Sequence, residues 1–262
     1  MTTSIRRERG RAGASPFISC VLAGAAALVA LGQSSEARAD AAGDKILAEV
    51  DKAMNKARTQ IFEYDVTNQE PGKGEKKLAL KVWLKGEKRL TEFLAPADMK
   101  GTKVLIESPT QIYVFLPAFG KVRRVASSVS DQGFMGMAFS QDDIATTSYS
   151  PSYTATVASE DGAQWKLVVT PKAGISTLWG KIEMAVNKDK SLPAELKYFN
   201  AEGKNTKTET RTGYSCEGDV CTPAELKMTI NSSGLWTKMA RKAWKVNESL
   251  GDDLFTKRSL EK

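Results

Sequence analysis

TQIYVFLPAFGKVRRVASSVSDQGFMGMAFSQDDI, residues 110–144, joins a hairpin to a run rich in glycine and methionine. Gln111 to Leu116 is dense in β-branched and aromatic residues and is ended by Pro117, which predicts a strand. Ala118-Phe119-Gly120 can turn the chain, and Lys121 to Ala126 can return as its partner. The first strand is apolar on both faces, with Ile112, Val114 and Leu116 on one and Tyr113 and Phe115 on the other. Such a strand is either covered twice or turns one face to an apolar cavity. After the polar run Ser127 to Gln132, Phe134, Met135, Met137 and Phe139 alternate with Gly133 and Gly136. The glycines disfavour a rigid element, and methionines beside aromatics repack around varied apolar partners. The stretch therefore reads as an apolar flap over a hydrophobic face.

Outward from it, the chain is organised in short alternating segments. Ala42 to Arg58 places Ile46, Leu47, Val50 and Met54 at helical spacing and predicts one amphipathic helix. From Gln60 onward the period is two. Before the hairpin, strands are expected at Gln60 to Asn68, Lys76 to Lys85, Arg89 to Leu94 and Lys103 to Glu107. After it they are expected at Ser152 to Ala158, Gln164 to Pro171, Leu178 to Asn187 and Ala194 to Asn200. Three more follow at Thr206 to Tyr214, Thr222 to Ile230 and Lys238 to Val246. Leu78, Leu80, Val82 and Leu84 share a face, as do Trp165, Leu167 and Val169, and Ile182, Met184 and Val186. Lysines and glutamates occupy the opposite faces. The pattern predicts a mainly β protein, a strongly curved antiparallel sheet or barrel with an apolar interior and one helix to cover it. A large apolar concavity with limited cover is a ligand site.

The 262 residues are 41% apolar and carry a formal charge of +7. Five arginines against two glutamates before Asp40 account for part of that excess. The remaining lysines are scattered between acids and form no basic stripe, so a nucleic-acid partner is not expected. Residues 1–39 read as a signal peptide, with an Arg-rich start, the apolar run Phe17 to Leu31, and the small-x-small triplet Ala37-Arg38-Ala39. Cleavage after Ala39 would start the mature domain, 40–262, at Asp40 in the periplasm. Arg6-Arg7 leaves Sec and twin-arginine export both open. In the mature chain only Cys216 and Cys221 remain, and their spacing between two strand-like runs suits a disulfide across a hairpin end.

Chemistry is thinly represented. The chain has no histidine, which removes Ser-His-Asp and Cys-His mechanisms and His-ligated metals. Asp142-Asp143 and Asp252-Asp253 read as exposed acids or helix starts more readily than as catalytic or calcium-binding pairs. No catalytic residue, metal ligand or cofactor is assigned. Arg123 and Arg124 point to opposite strand faces, so at most one meets a cavity. There it could bond flap carbonyls or read a lipid head group. Otherwise the pair protects a sheet edge.

The hairpin and flap carry a family resemblance. Phe115-Leu116-Pro117, Lys121-Val122-Arg123-Arg124 and Phe134-Met135-Gly136, followed by Phe139 and Asp142-Asp143, resemble the LolA-like outer-membrane lipoprotein-sorting proteins. The flanking LAPADMKGTKVLI, 94–106, and LFTKRSLE, 254–261, are similar as well. Gly133 stands where a serine is usual, and Ser140-Gln141 where Tyr-Glu-like residues often stand. The resemblance implies an incomplete, half-open antiparallel β-barrel with an N-terminal helix and a loop or helical lid. It further implies a periplasmic carrier with no enzymatic activity, sheltering the acyl chains of a lipoprotein or lipid between an inner-membrane exporter and an outer-membrane acceptor. On that reading Leu80, Val82, Val114, Leu116, Leu167 and Met184 line the cavity. Phe134, Met135, Met137 and Phe139 cover it, and Arg123 or Arg124 bonds the lid or head group. An envelope-stress sensing module of related fold is the alternative, and an acyl hydrolase a third.

Overall fold

The computed structural model describes residues 34–108, 110–125 and 133–262. The expected leader up to residue 33 and the polar run 127–132 lie outside them, as does the side chain of Phe134. The described residues hold a helix α1 (Ser34–Met54) and fifteen strands. The first six are β1 (Thr59–Gln69), β2 (Lys76–Lys85), β3 (Lys88–Ala95), β4 (Lys103–Ser108), β5 (Gln111–Leu116) and β6 (Lys121–Arg124). A short helix α2 (Gln141–Ala145) precedes β7 (Tyr153–Glu160), β8 (Gln164–Pro171), β9 (Lys181–Asn187), β10 (Leu192–Phe199) and β11 (Asn205–Thr212). Then come β12 (Ser215–Glu217), β13 (Val220–Thr222), β14 (Glu225–Ile230), β15 (Trp236–Val246) and a last turn of helix, α3 (Lys257–Leu260).

Thirteen strands form one antiparallel sheet in the order β6-β5-β4-β3-β2-β1-β15-β14-β11-β10-β9-β8-β7. It is not closed, since β6 and β7 are its two edges. Register shifts within β1–β15, β2–β3, β7–β8 and β10–β11 add local twist and bend the sheet. The mainly β architecture expected from the alternation is present, and the sheet is half-open as the resemblance implied. Element ends differ by a few residues, and the helix starts eight residues earlier than the expected Ala42 to Arg58, so it runs through Ala39. The segment expected as one strand at Thr222 to Ile230 is two: Pro223 and Ala224 interrupt it, and Cys216 and Cys221 face each other in the separate β12–β13 hairpin, joined as a disulfide.

Alternation places one face of each strand inward, and the interior divides into two clusters. Phe62, Val66, Leu80, Phe93, Val104 and Ile106 belong to the β1–β4 half. Leu167, Val169, Ile182, Met184, Leu196 and Met228 belong to the other, and Leu47 and Val50 of α1 pack on them. The helix is held by close approach and by charge. A Cβ on Gly43 would stand 2.1 Å from the Ala155 carbonyl oxygen, so only glycine lets the helix approach the edge strand β7. Asp44 Oδ1 accepts from the Ala155 N–H at 2.8 Å, and the Asp51 carboxylate accepts from the N–H groups of Tyr149 and Ser150, each at 2.8 Å. An otherwise unpaired edge is thereby covered.

β5 is covered on both sides. Ile112 lies in the interior cluster, while Tyr113 packs on the convex side with Leu90, Leu105, Phe255 and Leu260. Phe255 and Leu260, near the end of the sequence, thus help form a second small core outside the sheet. The other edge, β6, has four residues and is mostly exposed.

Gly43→Val drives a side chain into the β7 backbone and should lower stability by about 2 kcal/mol or more. Gly162→Val, where nothing lies within 4 Å of the new Cβ, should stay within about 0.5 kcal/mol of the parent. Urea unfolding of the two variants checks this, and equal losses would contradict the packing of α1 on β7.

Candidate functional site

Because β6 and β7 are opposite edges, the chain between them must pass from one rim of the sheet to the other. Gly133 to Ala145 passes across the concave face. Its backbone is shaped for this: Gly133 bridges Ser140, and a Cβ on Gly133 would lie 2.2 Å from the Met137 carbonyl oxygen. Met135 and Gly136 both take positive φ, 53° and 78°. Glycine at 133 and 136 is therefore a requirement of the turn rather than a sign of a loose segment.

The segment is fastened to three strands. Asn68 Nδ2 on β1 donates to the Gly136 carbonyl at 3.0 Å, and the Ala138 N–H donates to Thr237 Oγ1 on β15 at 2.7 Å. Ser140 and Asp143 form a reciprocal capping box at the start of α2. Lys207 on β11 donates to Asp143 Oδ2 at 2.6 Å, with side-chain exposures of 8% and 3%. Asp143 is thus a helix-start acid as expected, but a buried and paired one, and its contact with a strand distant in sequence is one that spacing does not reveal. Met137 enters the β1–β4 cluster and Phe139 the other, while Ile144 touches both.

Beneath the segment lies a cavity of about 220 Å³. Its apolar wall follows the cross-strand register: Phe62 beside Val82, Val82 beside Thr91, and Thr91 beside Val104. The next row runs through Gln60, Leu84, Arg89 and Ile106. Met137, Phe139 and Ile144 close it from above, and Met54 of α1 reaches its end.

The far wall is polar. Glu209 accepts from Tyr198 Oη and from Arg211 Nε, both at 2.7 Å. Burial alone would lower the Arg211 pKa, and the surrounding Glu209, Tyr149 and Tyr214 more than reverse that and hold it well above its ordinary value. Burial pushes the Tyr149 and Tyr214 phenols up to about 12, so both are neutral donors at physiological pH. Arg89 differs: burial pushes it down to about 10. Sequence reading did not single out Arg89, Glu209, Arg211 or Lys207. Only alternation from Phe93 and Thr91 could have turned Arg89 inward.

Of the residues expected at the site, Leu80, Val82, Met137 and Phe139 line this cavity. Val114 and Met135 pack at the margin of the β1–β4 cluster. Leu167 and Met184 are each only 1% exposed within the other cluster, where α1 covers them, so they are core and not wall. Leu116 ends β5 half-buried beside the hairpin turn and does not reach the cavity. Neither Arg123 nor Arg124 lines the cavity, although Arg123, opposite Val114, is on the concave side of the edge strand. Both are exposed on β6, Arg123 over the Phe119 ring at 5.3 Å and Arg124 donating to the Thr110 carbonyl at 2.9 Å. Among the described residues no cluster of three or more Cys, Asp or Glu could hold a metal ion, and no helix is long and apolar enough to cross a membrane.

Comparison with known proteins agrees with this architecture. A family model described as "-like: Uncharacterized protein" matches residues 85–262. No curated protein matches the chain. A DUF1329 family protein from Desulfovibrio piger superposes with a TM-score of 0.77 at 22% identity, covering 85% of this chain and 99% of its own. A domain described as outer membrane lipoprotein-sorting, from Vibrio parahaemolyticus, gives 0.75 at 21% identity, covering 85% and 100%. A LolA superfamily protein from Nitrosomonas europaea gives 0.67 at 19% identity, covering 83% and 98%. Likeness at these identities establishes the fold alone. The chain belongs to the family that the matching model describes, and its fold is the one found in the LolA superfamily and in outer membrane lipoprotein-sorting domains.

Proposed function

We propose that the protein is a carrier that shelters acyl chains in the cavity under the Gly133–Ala145 segment. The observation that carries this reading is the cavity itself, an apolar trough along β1–β4 roofed by Met137, Phe139 and Ile144. At about 0.8 kcal/mol for each CH₂ taken from water, a few buried methylenes outweigh a few polar contacts. Of its polar groups, Glu209 is held by Tyr198 and Arg211. The LolA-type fold and the lipoprotein-sorting description of one structural relative support transport as the role. On this reading the chain is exported with loss of residues 1–39, works in the periplasm, and passes a lipoprotein or lipid from an inner-membrane donor to an outer-membrane acceptor.

Thr91 is half-buried on the cavity wall between Val82 and Val104, where a larger side chain would occupy the trough. Thr91→Trp should weaken binding of hexadecanol, followed by native mass spectrometry, about tenfold or more, the equivalent of roughly two methylenes displaced. Undiminished binding would place the chain elsewhere. Intact-mass analysis of protein recovered from the periplasm should give a chain beginning at Asp40, and a retained leader would contradict export with cleavage.

A further inference from the structure

Arg89 is a cation in the cavity wall without a counter-ion. Cross-strand pairing sets it between Leu84 and Ile106, both apolar and both lining the cavity. Its Nε is out of water and meets no acceptor, and among the described residues the side chain forms no ion pair. Arg211, across the cavity, has Glu209 at 2.7 Å. The contrast extends to their charge. Arg211 is held up by Glu209 and its tyrosines, whereas Arg89 is pushed down to about 10 by burial, against which only the Tyr64 and Tyr149 phenols work, and Arg211 adds like-charge repulsion. Even so it remains a cation at neutral pH. The residue is half-buried with its Nε out of water; holding a charge there with nothing opposite it is costly, and an entering anion offsets that cost.

Position and shape say what kind of anion. Arg89 also borders a second hollow of about 100 Å³ next to Met54 and Gln60, so it sits at one end of the trough rather than in its middle. From there the Phe62, Val82 and Val104 rows lead on under Met137. A charged head at the guanidinium and a chain along these rows would satisfy both walls. The 220 Å³ cavity is below the roughly 300 Å³ at which drug-sized pockets begin, which suits one slender chain. The planar guanidinium matches the two oxygens of a carboxylate or a phosphate.

We propose that the cavity takes a single-chain amphiphile with an anionic head, a carboxylate or a phosphate monoester, seated on Arg89 with its chain along β1–β4. This rests on the carrier reading and names the ligand class for it. Gln141, 7% exposed at the same cavity with an unpaired Oε1, offers an acceptor to a hydroxyl carried near the head.

The test compares palmitate, hexadecyl phosphate and hexadecanol by native mass spectrometry and titration calorimetry, in the parent protein and in Arg89→Met. The parent should bind one or both anions about tenfold or more tightly than the alcohol, the usual gain from charge-assisted hydrogen bonds. In Arg89→Met that ratio should fall to near one. Thermal unfolding should show the variant at least as stable as the parent, since an unpaired buried charge has been removed. The preferred anion separates a carboxylate head from a phosphate one. Equal binding of all three by the parent, or a preference that survives in Arg89→Met, overturns the Arg89 site and leaves the carrier reading standing. Failure of all three to bind overturns the carrier reading and this inference with it.

Discussion

An antiparallel sheet that curves without closing leaves an apolar concave face, and the chain itself must cover it. Here the connectivity dictates how. β6 and β7 are neighbours in sequence but opposite edges in the sheet, so the segment between them has to span the mouth. Covering one half of the face falls to α1, with Gly43 against the β7 backbone and Leu47 and Val50 over the core. Over the other half, among the described residues, lies the thin Gly133–Ala145 segment. A full core forms where a helix lies and a cavity remains where a single strand of chain lies.

The way that segment is fastened fits a cover that can be lifted. Its ties to the sheet are polar: Asn68 to Gly136, Thr237 to Ala138, and Lys207 to Asp143. A buried ion pair contributes little net stability because desolvation offsets its Coulomb attraction, yet it fixes geometry well. Met137, Ala138, Phe139, Ile144 and Ala145 add apolar packing into the two clusters below. Such a cover has a defined closed position, and a ligand that adds apolar contact below it can shift the balance between covered and open. The cation–π contact of Lys207 over Trp179, at 5.3 Å, places the same lysine between the cover and the all-apolar half of the interior.

Much of this was legible in the sequence where a single periodicity governs. The strand faces of Leu78 to Leu84 and Ile182 to Val186 follow from alternation alone, and so does a curved antiparallel sheet, whereas its half-open form was what the family resemblance implied. The double apolarity of Gln111 to Leu116 left open cover on both sides or a face on an apolar cavity; the strand is covered twice, with Phe255 and Leu260 supplying the outer cover. What sequence did not disclose is which elements meet. Leu167 and Met184 alternate as cleanly as Leu80 and Val82, and only the placement of α1 makes the first pair core and the second wall. Arg123 and Arg124 drew attention by their adjacency, yet on a short edge strand both are exposed. Three charged groups that face the cavity, Arg89, Glu209 and Arg211, stand singly among ordinary strand residues. Their burial is a property of the folded register and leaves no local mark.

The account stands or falls on whether an acyl chain lies between the β1–β4 wall and the crossing segment. Hydrogen exchange with and without palmitate reads this directly. The account predicts slower exchange in residues 133–145 and in the facing strands β1–β4 when palmitate is present, with β7–β10 under α1 unchanged. Protection confined to β7–β10, or none in residues 133–145 at saturating palmitate, would contradict it.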